Sequence, residues 1–335
     1  MGRRKRSYAM KFATILAKRV LYACILLIAV LVLNFLLIHL APGDPAEVIA
    51  GVMGGATQEV LHEIRATYGL DKPVAVQLAV YLKKVAGGNL GYSFYFNRPV
   101  TELVMQRVPA TILLVISALI LALCLGTFLG VLASKKPNGA FSHIITIFSL
   151  VGYSAPIFWT GIMLLILLCS WIPLFPVSGM YDVARAAGGI RRVLDILHHL
   201  VLPMLTLGIV YLAQYSRLAR TSMLDVLGAD YIRTARAKGV NEKGVVYKHA
   251  LKNAVLPIVT MAGLQMSYMF SGAVLVETVF NWPGLGRLAF ESILRRDYPT
   301  ILGILFFSTF IVIIANLLTD LLYRLVDPRI HVGAK

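Results

Sequence analysis

The densest run of groups able to do chemistry in this chain is Asp230-Tyr231-Ile232-Arg233-Thr234-Ala235-Arg236-Ala237-Lys238-Gly239, followed by Val240-Asn241-Glu242-Lys243-Gly244. Arg233, Arg236 and Lys238 offer charge and hydrogen-bond donors without a nucleophile or base. Their natural task is docking onto a partner that presents carboxylates, where complementary charge fixes register and orientation. Good helix formers lead up to Gly239, which suits a left-handed C-terminal cap, and Asn241 can cap a second helix. The segment therefore reads as a compact helix-turn-helix. DNA binding is a poor reading, because both ends run into apolar spans. A basic amphipathic helix lying on anionic lipid is the other reading that this segment alone allows.

Other constellations fail at a required residue. Gly152-Tyr153-Ser154-Ala155 approaches the Gly-x-Ser-Gly of intramembrane serine proteases, but the last two apolar runs supply no histidine base. His62-Glu63-Ile64-Arg65-Ala66 begins like H-E-x-x-H and has Ala66 at the second ligand position. His198 and His199 are adjacent, so on a helix they point about 100 degrees apart and suit an interfacial helix start better than a metal. Cys24, Cys124 and Cys169 all lie in apolar runs and imply neither a disulfide framework nor a metal cluster. The chain also lacks the G-x-x-x-x-G-K-[ST] phosphate loop, so no ATP or other cofactor is expected to bind it.

Polar residues inside apolar runs form a further set. Gln265, Tyr268, Met269 and Gly272 fall at helical spacing, with Glu277 at the end of the same run and Gln214, Asn34 and His39 on others. They read either as pore lining with an outer gate, or as ordinary polar contacts between packed helices. No carboxylate lies mid-run, which argues against a secondary transporter.

The elements that must position these groups are set by composition. The 335 residues are 58% hydrophobic and 14% charged, with a mean hydropathy of +0.77, a balance for a polytopic membrane protein. Six runs free of Asp, Glu, Lys and Arg are near or above bilayer-spanning length: 20 to 40, 110 to 133, 141 to 171, 198 to 216, 253 to 276 and 300 to 319. Because backbone polar groups must be satisfied inside hydrocarbon, the expected fold is all-α with six transmembrane helices. The third run exceeds one span, and Pro156 predicts a long, kinked or tilted helix there.

The net charge of +16 reports topology. Residues 1 to 19, 134 to 140, 217 to 252 and 320 to 335 together carry 20 basic and 5 acidic residues, hence +15, whereas 41 to 109, 172 to 197 and 277 to 299 carry 12 and 11, hence +1. Positive charge is retained in the cytoplasm, so both termini and the 217 to 252 loop are expected inside, and nucleic acid is not an expected partner. The start, Arg3-Arg4-Lys5-Arg6 before a 21-residue apolar run, is too long for a signal peptide core and reads as an uncleaved first helix. Residues 41 to 109 form a folded external insert, with helices from Gln58 to Tyr68 and from Val74 to Val85 and a turn at 88 to 93.

With these residues in view, the chain resembles the permeases of binding-protein-dependent, ATP-driven importers, in the dipeptide, oligopeptide and nickel branch. Tyr231 to Gly239 and His249 to Ala254 match that branch's "EAA" loop, with Arg233 and Thr234 in place of the wider pattern's Glu and first Ala, and Lys252 in place of its Pro. Further matches are Pro42-Gly43-Asp44-Pro45, Tyr68 to Pro73, Gly88 to Ser93, Gly272 to Phe280 running into Trp282-Pro283-Gly284-Leu285-Gly286, Arg296 to Pro299 and Asp327-Pro328-Arg329. Asn89 stands where the family usually has Asp. The resemblance implies a multi-pass protein of the bacterial or archaeal cytoplasmic (inner) membrane, forming half a pore with a homologous second permease. Two cytoplasmic ATPase subunits, which carry ATP and Mg, and an external substrate-binding protein complete the expected assembly. It further implies that Asp230, Tyr231, Arg233, Thr234, Ala235, Arg236, Lys238, Gly239, Glu242 and His249 couple to the ATPases. Peptides are the expected substrates, and nickel chelates, glutathione and oligosaccharides the alternatives.

Overall fold

A computed structural model describes residues 2–40, 50, 57–68, 70–183 and 188–326. The Pro42 to Pro45 and Asp327 to Arg329 patches, and Gly69, lie outside the described residues. The chain is mostly helical. Among the described residues, four helices are long and apolar enough to cross a membrane, or up to six if each of two bent pairs counts as one span.

The chain divides into two compact units, one of residues 1–108, 288–317 and 331–335, the other of 109–287 and 318–330. In the first, α1 (Gly2–Leu40) is followed by two short helices, α2 (Gln58–Tyr68) and α3 (Val74–Ala86). Pro73 precedes α3, where its fixed φ suits a helix start, and Gly87 ends it. Phe35 of α1 stacks on Tyr81 of α3, with ring centroids 5.7 Å apart. A small antiparallel hairpin, β1 (Tyr92–Ser93) and β2 (Arg98–Pro99), then leads into α4 (Val100–Lys135). The turn expected at 88 to 93 leads into this two-residue ladder, which the sequence does not predict. Asn89 Oδ1 accepts from the Gly91 amide at 2.9 Å, a task that needs only a side-chain oxygen and that Asn and Asp perform equally.

The hairpin is bonded to the start of the last helix within the same unit. Buried Asp297 accepts from the hydroxyls of Ser93 at 2.5 Å and Thr300 at 2.7 Å. It stands immediately before α12 (Tyr298–Val326), so its carboxylate also caps that helix. Between Trp282 and α12 lies α11 (Leu285–Leu294), a helix that the apolar runs do not predict.

The second unit is a helical bundle. α4 continues into it, followed by α5 (Ala140–Ser154), α6 (Ile157–Leu165) with a wide π turn over Ile166–Trp171, α7 (Ile190–Leu227), α8 (Asp230–Ala237), α9 (Glu242–Gly244) with a second π turn over Val245–Ala250, and α10 (Leu251–Val279). Its core gathers Leu114, Leu202, Leu207, Tyr215, Ile258, Met269, Phe280 and Trp282. Helices approach closely where side chains are absent: a Cβ on Gly126 would lie 2.9 Å from Tyr215 Cβ, and one on Gly130 2.7 Å from Ala219 Cβ.

The run from 141 to 171 is not one kinked helix. Ala155 is extended, as a residue before proline prefers, and α5 and α6 with its π turn meet at 106°. A proline kink that keeps a helix continuous is shallower than this. The helices also outrun the apolar runs, because α7 spans 190 to 227 and carries its polar ends as helix beyond 198 to 216.

Candidate functional site

The segment from Asp230 to Lys252 is held by an apolar underside. Ile232 is fully buried and Ala235 nearly so, one turn apart on α8, and they pack with Val245, Val246, Ala250 and Ala254 and with Val131 of α4 and Met223 of α7. Truncating a buried Ile to Ala costs about 2–5 kcal/mol, so this small core is the main source of the elbow's rigidity. It also bears on the lipid-surface reading. With Ile232 and Ala235 turned inward, α8 retains only Tyr231 as a large apolar side chain for a bilayer.

The turn is built from its caps. The Val240 amide reaches back to the Ala235 carbonyl at 3.2 Å and the Gly239 amide to Arg236 at 2.9 Å, which requires the positive φ of 79° at Gly239. Asn241 Oδ1 accepts from the Gly244 amide at 2.7 Å and starts the second limb. Arg236 Nε donates to Glu242 Oε1 at 2.7 Å, joining the two limbs across the turn. Asn253 donates to the Tyr231 hydroxyl at 2.7 Å, and Lys135 Nζ donates to the Tyr247 hydroxyl at 3.0 Å. The elbow is thereby tied to the ends of α10 and α4.

What remains on the outside is polar. Tyr231, Arg233, Thr234 and Lys238 are exposed, His249 is half-buried, and Arg233 meets Asp230 only in a loose 3.4 Å contact between two largely exposed side chains. Such a pair is worth about 0–1 kcal/mol and leaves the guanidinium available to a partner. Thr234 Oγ1 donates to the Asp230 carbonyl at 3.0 Å.

The pore candidates separate. Gln265 is buried and donates to Gln214 of α7. Met269 is fully buried, and a Cβ on Gly272 would lie 3.3 Å from Leu207, so both face the bundle interior. Tyr268 is 71% exposed and lies on another face with Leu264 and Leu275. The four residues at helical spacing therefore do not share one exposed stripe.

Glu277 is fully buried. Its Oε1 accepts from the Thr111 hydroxyl at 2.6 Å, and its Oε2 from the amides of Gly286 at 2.7 Å and Arg287 at 3.1 Å. Thr111 Oγ1 in turn accepts from the Leu285 amide at 2.8 Å. The carboxylate thus occupies the N-terminus of α11, where orphan amides and the helix dipole favour an anion. A Cβ on Gly284 would lie 2.1 Å from Glu277 Oε1, so glycine is needed there. Trp282 Nε1 donates to the Ala110 carbonyl at 2.9 Å and seals the turn. Glu277 is thus a buried cap on α11. Thr111 escaped sequence reasoning because one hydroxyl in an apolar run gives no periodic signal. Lys135 and Tyr247 escaped it because they are 112 residues apart.

Comparison with known proteins decides the class. The family described as "Binding-protein-dependent transport system inner membrane component" matches residues 126–332, and its N-terminal companion matches 11–115. The chain belongs to this family. It is 41% identical to the dipeptide transport system permease protein DppB of Escherichia coli K12, over 91% of this chain and 94% of that one. The oligopeptide transport system permease protein AppB of Bacillus subtilis 168 is 38% identical, over 95% and 99%. The di/tripeptide permease DppB of Pseudomonas aeruginosa UCBPP-PA14 is 41% identical, over 90% and 94%. Among solved structures, an inward-facing MetNI methionine ABC transporter aligns with a TM-score of 0.51 at 17% identity, over 67% of this chain and 96% of that one, and shares the fold. The chain is accordingly a multi-pass inner-membrane permease component and not itself an enzyme.

Proposed function

We propose that this permease forms half of the translocation pathway for di- or oligopeptides, with six spans, both termini in the cytoplasm, and the insert from 41 to 109 outside. A homologous second permease completes the pore. Two cytoplasmic ATPases bearing ATP and Mg bind beneath it, and an external binding protein delivers the peptide. The peptide class is supported by the similar permeases, whose names specify dipeptide, di/tripeptide and oligopeptide transport. The orientation is supported by the division of charge, +15 against +1 between alternate segments.

The observation that carries this reading is the elbow. A rigid two-limbed support presents Tyr231, Arg233, Thr234 and Lys238 outward, and its second limb runs without interruption into α10. Closure of a docked ATPase pair would push on this face, and the rigid connection would carry the push into α10 and rock it between two states. Arg236, Glu242 and Gly239 hold the face in shape, and Asp230 and His249 flank it.

Reconstitution with the second permease, the ATPases and the binding protein in liposomes tests the proposal. Labelled dipeptide should accumulate only with ATP and binding protein present. Uptake by this chain alone, without ATP, would overturn it.

A further inference from the structure

At the end of α1, both ring nitrogens of His39 face acceptors. Nδ1 lies 2.9 Å from the Phe35 carbonyl oxygen and Nε2 lies 3.0 Å from Gln77 Oε1 on α3. The carbonyl can only accept. The Gln77 amide is not free to turn over, because its Nε2 donates to the carbonyls of Leu70 at 3.1 Å and Lys72 at 2.8 Å. Reversal would set Oε1 against two carbonyl oxygens and forfeit both bonds. Gln77 therefore offers His39 an oxygen.

A neutral imidazole has one N–H and one lone pair, so it can satisfy only one of these two oxygens. The imidazolium satisfies both. His39 lies in the last turn of α1, and its ring sits 4.0 Å from that of Phe35.

The other groups at this contact are settled. Tyr81 faces it from α3 through its stack on Phe35, and burial pushes its phenol up to about 12, so it stays neutral. Asn34, buried on α1, does not titrate. Asp71 and Lys72, in the turn that supplies a carbonyl to Gln77, expose their side chains to solvent.

We infer that His39 is a proton-binding site that clamps the segment from Leu70 to Gln77 onto the end of α1. With the proton bound, Phe35 and Gln77 are both bridged. When it leaves, one nitrogen lone pair faces an oxygen and the bridge to Gln77 or the tie to Phe35 is lost. Placing this clamp outside the cell rests on the topology proposed above, in which case acid outside tightens the insert onto the first span. The clamp itself does not depend on that topology.

Hydrogen exchange of the purified full-length chain in lipid nanodiscs tests this at pH 5.5 and 8, which bracket the range where histidine exchanges its proton. After correction for intrinsic exchange, amides 70 to 77 should open about fivefold more slowly at pH 5.5, the gain expected when a neutral hydrogen bond becomes charge-assisted. H39Q should open equally at both pH values. Q77A, which removes the acceptor and leaves the histidine, should do the same and serves if H39Q does not assemble. Equal opening in the unaltered chain, or a pH dependence that persists in both variants, would overturn the inference. Neither result bears on peptide uptake, which is measured separately.

Discussion

Glu277 and Gly286 are joined by a 2.7 Å hydrogen bond from the Gly286 amide to the buried carboxylate, and this bond sets where α11 begins. The same carboxylate takes the Thr111 hydroxyl and the Arg287 amide, so a turn of glycines and a tryptophan is folded around a single anion. E277Q keeps the shape and replaces one acceptor by a donor that faces a donor. A loss of about 1–3 kcal/mol is expected, seen as a lower midpoint of thermal unfolding in detergent. T111V should cost less, because Glu277 retains its amide partners.

The elbow's small core makes a second prediction. I232A should destabilise the elbow by about 2–5 kcal/mol, raising hydrogen exchange across residues 230 to 250 while the core around Leu114 and Tyr215 stays protected. Unchanged exchange there would mean that Ile232 does not hold the elbow.

These two sites show how unevenly sequence reports structure. The caps at Gly239 and Asn241 were legible because each is a local rule, a residue type at a helix end, and both are realised. The apolar runs were legible because hydrocarbon demands them. The 106° break at Ala155 and Pro156 was visible as a proline but not as an angle, which depends on what α5 and α6 pack against. The role of Glu277 was hidden because its partners, Thr111 and the amides of Gly286 and Arg287, come from two distant segments. Spacing put Tyr268 beside Gln265 and Met269, yet only the packing of α10 decides which of them turn inward.

Arg236 and Glu242 offer a salt-dependent test. The pair is partly exposed and worth about 0.2–1 kcal/mol. R236E or E242R alone should loosen the turn by that amount, and the exchanged double variant should recover most of it. A double-mutant cycle at low and high salt checks both the coupling and its screening.

Tyr81 supplies the alkaline limit of the insert. Burial pushes its phenol up from 10 to about 12, so the folded chain holds the proton where the unfolded chain has lost it. Stability from this group is therefore complete below pH 10 and falls as pH rises towards 12. Tyrosinate absorbance should show a late-titrating component that Y81F removes, and Y81F should lessen the loss of α3 protection above pH 10.

The central claim is that the Asp230 to Lys252 elbow docks the ATPases. Co-purification of the ATPase subunits with R233E and with G239P measures it most directly, since the first inverts an exposed charge and the second forces a negative φ where 79° is needed. The account predicts that both variants insert normally, retain little ATPase and lose ATP-driven uptake. Normal ATPase recovery together with normal transport in both would contradict it.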